Sequence, residues 1–249
     1  KASADSTALS MDQPQIVMQG AKEESSQLVD FSSAVEADAP APTPSFVVSS
    51  TAAKEALFCQ QFHLTAPYVA GAMAGGIASV ELVSAFSTLG LLSFFGAGGL
   101  DPELVELAVT QLKSLTGPWG VNLLADPLRE EQLVDIFLRH EVPCVSASAF
   151  VRLTPGLIRY RYAGSAERGG PRTVFAKCSH PSVAERFSAP ASARLLGKLV
   201  QDGGISAADA ELASRFPVAD AITIEGDSGG HTDRRPLAVI LPTIAAAVA

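Results

Sequence analysis

The stretch Gly226-Asp227-Ser228-Gly229-Gly230-His231 carries two hydrolase strings at once. Gly-Asp-Ser-Gly-Gly surrounds the nucleophile of trypsin-like proteases, and the same residues satisfy the G-x-S-x-G nucleophile elbow. An elbow serine needs an acid and a histidine downstream, in that order. After Ser228 the sole histidine is His231, three residues on and on the same turn, and the sole acid is Asp233. A base so close in the chain cannot engage the hydroxyl. The trypsin arrangement needs an all-β fold with histidine and aspartate upstream, whereas this chain alternates strands with helices and its one early histidine, His63, sits beside a linker-like segment. Ser228 is not read as a nucleophile. The glycines then need another reason. Gly229-Gly230 after a buried strand lets backbone approach a flat ligand and permits positive φ, and His231 would be aimed at that ligand. A tight turn with a solvated His231 fits the same spacing.

Four further positions carry chemistry. Gly96-Ala97-Gly98-Gly99, between a strand and a helix, suits a phosphate or a plain βα turn; it lacks the glycine spacing of a dinucleotide fingerprint, and no G-K-[ST] follows. Gly71-Ala72-Met73-Ala74-Gly75-Gly76 is a second small-residue strand end, whose Met73 would line a flavin or fill core. Asn122 stands among apolar strand residues, and a buried amide needs partners. Lys177 ends another apolar run, where an ammonium must be solvated, paired or used. No metal site is expected: His63, His140, His180 and the cysteines show no ligand spacing beyond Cys178-x-His180.

These residues need a scaffold, and the composition allows a large one. Of 249 residues 47% are hydrophobic and 18% charged. The net charge of −8 leaves no basic stripe for nucleic acid. Three scattered cysteines point to a reducing compartment, hence the cytoplasm. The most apolar stretch, Tyr68 to Leu100, is interrupted by seven glycines and reads as buried strand–helix–strand, so no membrane span is expected. Residues 1–56 differ: eight Asp/Glu against three Lys/Arg give −5 of the net charge, and "AVEADAPAPTPS" keeps no apolar period. They read as a flexible, disordered acidic Ala/Ser/Pro-rich linker. A linker ahead of the fold, in a chain starting at Lys1, reads as a piece excised from a longer polypeptide.

From Pro67 onward short apolar runs alternate with helical patterns. "PYVAGAMAGG" reads as a strand, followed by a helix capped by Ser79 and ended by Gly90. "LLSFFGAGG" leads to Asp101-Pro102-Glu103, a strong helix start. "WGVNLLA" precedes a helix opened by Asp126-Pro127; "VPCVSAS" and "TVFAKCS" are a fourth and fifth strand. A helical stretch between Val183 and Phe216 contains the capping pattern Ser206-x-x-Asp209. "AITIEGD" is a sixth strand, and a helix starts in "RPLAVILPTIAAAVA". Continuous apolar strands alternating with helices mean a parallel sheet covered by helices. A doubly wound sheet and a (β/α)8 barrel both fit; small and polar residues at so many strand ends favour the barrel. Six strands predict a TIM barrel cut after about six βα units.

Taken in order, "YVAGAMAGGIAS", "FFGAGGLDPE", "GVNLLADP", "SASAFVRLTPGLIRYR", "VFAKCSHP" and "IEGDSGGHTDRRPLAVILPTI" resemble the PfaD-like enoyl reductases. These are flavoprotein components of polyunsaturated fatty acid synthases and trans-acyltransferase polyketide synthases, related to nitronate monooxygenases. The resemblance runs from about Pro67 to the end. It implies an FMN-binding barrel over 57–249, with Ala72 and Met73 by the isoalloxazine ring, Asn122 and Lys177 contacting the flavin, and Gly229, Gly230 and His231 forming a glycine–histidine loop. It implies an oxidoreductase in which NADPH reduces FMN and an enoyl thioester on an acyl carrier protein is reduced in turn, with His231 as catalytic residue polarising the carbonyl or assisting protonation. Nitronate oxidation and a non-catalytic synthase scaffold are the competing readings. A barrel lacking two βα units is expected to hold FMN poorly.

Overall fold

Six apolar runs become six parallel strands that lie side by side in chain order: β1 (Val69–Ala70), β2 (Leu92–Phe95), β3 (Gly120–Leu124), β4 (Cys144–Ser148), β5 (Thr173–Cys178) and β6 (Ala221–Ile224). The computed structural model describes residues 50–226 and 235–248. Each strand returns through helix before the next one pairs, as parallel neighbours require. The sheet curls into a half-barrel, the architecture of a partial TIM barrel, with β1 and β6 at its two edges.

The crossovers are α2 (Val80–Thr88), α3 (Pro102–Leu112), α4 (Glu130–Arg139), α5 (Pro155–Tyr162) with the short α6 (Ser165–Arg168), then α7 (Pro181–Ser188), α8 (Ala193–Gln201) and α9 (Ala207–Ala213), with α10 (Leu237–Ala247) after β6. Their starts follow local chemistry. Ser79 accepts from the Leu82 amide at 3.3 Å, and Pro102 sits in the first turn of α3 behind Asp101. Ser206 and Asp209 close a full capping box on α9, as their spacing predicts.

Three details differ from the expectations. The helix expected at Asp126-Pro127 begins at Glu130, because Asp126 folds an Asx turn instead: its carboxylate accepts from the Leu128 amide at 2.9 Å. β1 is only two residues long, and Gly71–Ala78 forms a loop. A helix, α1 (Ser50–Phe62), begins inside the segment read as linker; residues 1–49 lie outside the described residues.

Alternate strand residues fall into two packed sets, as a period of two demands. Phe95, Val121, Leu123, Val145, Ala147, Val174 and Ala176 share the large core with Val105, Val109, Phe137 and Leu157 of the helices. Leu92, Phe94, Cys144 and Phe175 point the other way and form a separate inner cluster. The second set is the lower interior of the barrel. α1 fills it: the Phe62 ring lies 4.7 Å and the Phe58 ring 6.4 Å from Phe175, which in turn meets Phe94 at 5.6 Å. Among the described residues no helix is long and apolar enough to cross a membrane.

Candidate functional site

The inner face changes character along the strands. Below, at the N-terminal ends, it is the aromatic cluster just described. Two residues further along each strand, on the same face, come Asn122, Ser146 and Lys177, then Ser148 and Glu225. An apolar floor under a polar layer at the C-terminal strand ends is where a parallel barrel builds its site.

Asn122 is 5% exposed and is held by its neighbour strand. Its amide nitrogen donates to the Ser146 carbonyl and to Ser148 Oγ, both at 2.9 Å. Those bonds fix the side chain and turn Oδ1 toward Gly98, where a Cβ would come within 3.4 Å of it. The expected buried amide is therefore present and pre-oriented.

Ala72 and Met73 follow β1, beside the same seam. Ala72 packs on the inner cluster, while Met73 is 45% exposed. Their loop is laced to the end of β2 by backbone bonds: Gly75 N–H to Gly98 O at 2.7 Å, Gly76 N–H to Gly96 O at 2.9 Å, and Gly96 N–H to Ala78 O at 3.0 Å. A Cβ on Gly96 would lie 1.7 Å from the Met73 carbonyl oxygen. Gly96 is thus glycine because two backbones touch there, and the seam from Ala72 through Gly98 to Asn122 is lined by small groups.

Lys177 closes the polar layer on the other side. Its Nζ pairs with Glu225 Oε1 at 2.8 Å, and the two side chains are 16% and 17% exposed. The pair borders a cleft of about 500 Å³ whose walls include Phe150, Val151, Ser179 and His180. Arg186 of α7 reaches across the mouth and donates to the Val151 carbonyl. Ala149, at the head of that loop, has φ of +63°, a conformation that costs a non-glycine residue about 1 kcal/mol or more. Behind the loop a second cleft of about 350 Å³ contains Glu130 and Thr154.

Other candidates resolve into structure. Cys178 belongs to the helix-side core, and burial pushes its thiol up to about 12. His180 Nδ1 accepts from the Ser182 amide at 3.2 Å and caps α7. Among the described residues no three His, Cys, Asp or Glu gather as metal ligands. Gly229, Gly230 and His231, like Ser228, lie outside the described residues. Sequence reasoning missed Glu225, Ser146 and Ser148. The serines had a signal, since Cys144, Ser146 and Ser148 alternate within "VPCVSAS"; Glu225 was read merely as part of a strand end.

The chain shares 46% identity over 197 residues with a polyunsaturated fatty acid synthase component of Thraustochytrium sp., covering 75% of this chain and 13% of that protein. With the polyketide biosynthesis protein ThaF of Burkholderia thailandensis it shares 42% over 195 residues, 75% of this chain and 17% of that one. The enoyl reductase domain of MlnA from the macrolactin cluster of Bacillus amyloliquefaciens superposes with a TM-score of 0.68 at 32% identity, over 76% of this chain and 45% of that structure. The chain therefore spans only part of the length of these relatives. A family model described as nitronate monooxygenase matches residues 57–249, and to that family the chain belongs.

Proposed function

We propose that the chain forms part of an FMN-dependent enoyl reductase that acts, with NADPH, on acyl chains carried by an acyl carrier protein in a polyunsaturated fatty acid or polyketide synthase. The observation that carries this reading is the polar layer of Asn122, Ser146, Ser148 and Lys177 over an aromatic floor, facing a seam that admits only small groups. The donor set fits a flavin: a fixed amide, an ammonium and a glycine-lined face suit the polar edge and flat faces of an isoalloxazine ring. Relatives that are synthase components support the setting, and the MlnA reductase domain supports the reaction.

FMN, when bound, supplies two-electron chemistry between a nicotinamide and a conjugated double bond. The protein's part is orientation. Asn122 presents Oδ1 as an acceptor, because its nitrogen is committed to β4. Lys177 supplies positive charge where electron density would accumulate. In this reading Gly229 and Gly230 would let backbone approach the ring, and His231 would polarise the thioester carbonyl or deliver a proton to the α-carbon, work suited to an imidazole.

The test is spectral. The natural protein containing this chain is expected to bind FMN stoichiometrically, to bleach anaerobically with NADPH and to recover colour on adding an enoyl thioester. Absence of flavin uptake would overturn the reading and leave a scaffold. The family description favours one second reading, oxidation of a nitronate; bleaching by a nitronate, with no recovery on enoyl thioester, would select it.

A further inference from the structure

We propose that Glu225 is a positioning residue for Lys177, so that the redox balance of a flavin held at this face is set by the pair and not by the lysine alone. The inference rests on the flavin reading above. It concerns a residue that the sequence left inside a strand end.

The geometry is specific. Lys177 is in register with Thr223 across the β5–β6 pair, and Glu225 lies two residues beyond Thr223, hence on the same inner face and one step nearer the C-terminal end. The Glu225 amide donates to the Cys178 carbonyl at 3.0 Å, continuing the ladder past the last strand residue. Its backbone is therefore pinned, and its carboxylate meets the ammonium at 2.8 Å with both groups mostly withdrawn from water. Elsewhere on the cleft Arg186 donates to the Val151 carbonyl and His180 caps α7. Glu225 is the carboxylate paired with Lys177.

An ammonium beside a flavin favours the reduced, more electron-rich form. A carboxylate 2.8 Å behind the ammonium cancels much of that field and stops the flexible lysine from swinging. Removing the carboxylate unmasks the charge; removing the lysine leaves a carboxylate that opposes reduction. A simple strand cross-link would move stability and leave the potential alone.

The experiment is a potential measurement on the natural protein loaded with FMN, for the parent, Glu225→Gln, Lys177→Met and the double variant. Glu225→Gln is expected to raise the preference for reduced over oxidised FMN roughly tenfold, about 30 mV for a two-electron couple. Lys177→Met is expected to lower it by a similar factor, and the double variant to return near the parent, because the two opposite shifts cancel. FMN-loaded variants with unchanged potentials, or a double variant that stays at the potential of either single variant, overturn the inference and leave the flavin reading intact. A parent that takes up no FMN overturns the reading itself, and the inference with it. Should Glu225→Gln fail to retain FMN, Glu225→Asp carries the test: a shorter acid must shift the potential in the same direction by less, and no shift counts against the proposal.

Discussion

Arg161 and Asp220 meet as a buried ion pair that ties α5 to the segment entering β6. Arg161 is 1% exposed; its Nη2 donates to Asp220 Oδ1 at 2.9 Å and to the Pro217 carbonyl at 3.2 Å, while Nη1 engages Oδ2 and the Arg172 carbonyl. The same carboxylate accepts from the Val174 amide of β5 at 2.8 Å. One aspartate thus aligns two strands whose C-terminal ends carry Lys177 and Glu225.

Breaking this pair from one side leaves a guanidinium stranded in the core. Asp220→Ala is expected to cost about 3–5 kcal/mol, whereas replacing both partners with apolar residues costs much less. Urea midpoints of Asp220→Ala and of Arg161→Met/Asp220→Leu check the ordering. Equal losses in both would show that the bonds to backbone, and not the stranded charge, dominate.

Asp209 gives the fold an acid limit. Burial raises its pKa, but amide donors at Ala166, Ser206 and Gly164 and the Ser206 hydroxyl outweigh that and hold the group down at about 2. A depressed carboxylate stabilises the fold above its unfolded value near 3.8 and loses that contribution as pH falls toward 2. The difference is about 2 kcal/mol. Asp209→Asn is expected to lower stability at pH 6 and to flatten the pH dependence between 4 and 2, read from denaturation midpoints across that range. An unaltered slope would assign the acid limit to another group.

Glu130 has the opposite sign. Burial lifts its pKa, only partly offset by the Thr154 hydroxyl and the Leu157 amide, which it accepts at the start of α5. A raised carboxylate stabilises the fold when protonated and opposes it once pH passes the unfolded value. Glu130→Gln keeps an acceptor and removes the charge, so neutral or slightly higher stability is expected at pH 7. Glu130→Ala strands the Leu157 amide and is expected to cost about 1–3 kcal/mol. Thermal melts of the two variants at pH 7 and pH 4.5 separate charge from acceptor.

Strands β2 to β5 were legible because each is a largely buried run, and the parallel order followed from the helices between the strands. Asn122 and Lys177 were legible because an amide or an ammonium in such a run has few ways to be satisfied. Glu225 was not, since pairing with Lys177 depends on β5–β6 register, which no local pattern encodes. α1 escaped because its helix emerges from an Ala-, Ser- and Pro-rich stretch without a sustained period; it is held by the inner aromatic cluster that only the assembled, curled sheet creates. Asp126-Pro127 looked like a helix start, yet the same residues favour an Asx turn, and the turn won.

Two neighbouring glycines separate scaffold from site. At Gly96 an added Cβ meets the Met73 carbonyl at 1.7 Å, and backbone cannot yield as a side chain can. Gly96→Ala must push the Ala72–Ala78 loop off β2, breaking bonds that hold the seam, at a cost of about 1–3 kcal/mol or more. At Gly98 the Cβ meets the far end of Leu124 at 2.6 Å and comes within 3.4 Å of Asn122 Oδ1. The leucine can rotate away, so Gly98→Ala is expected to fold with little loss while placing a methyl beside the amide oxygen that would face the cofactor. Stability measured by denaturation should therefore fall mainly in the first variant, and FMN affinity of the folded protein should fall in both. If Gly98→Ala keeps parental affinity, the flavin does not lie against this seam, and the cleft beside Lys177 becomes the place to look for it.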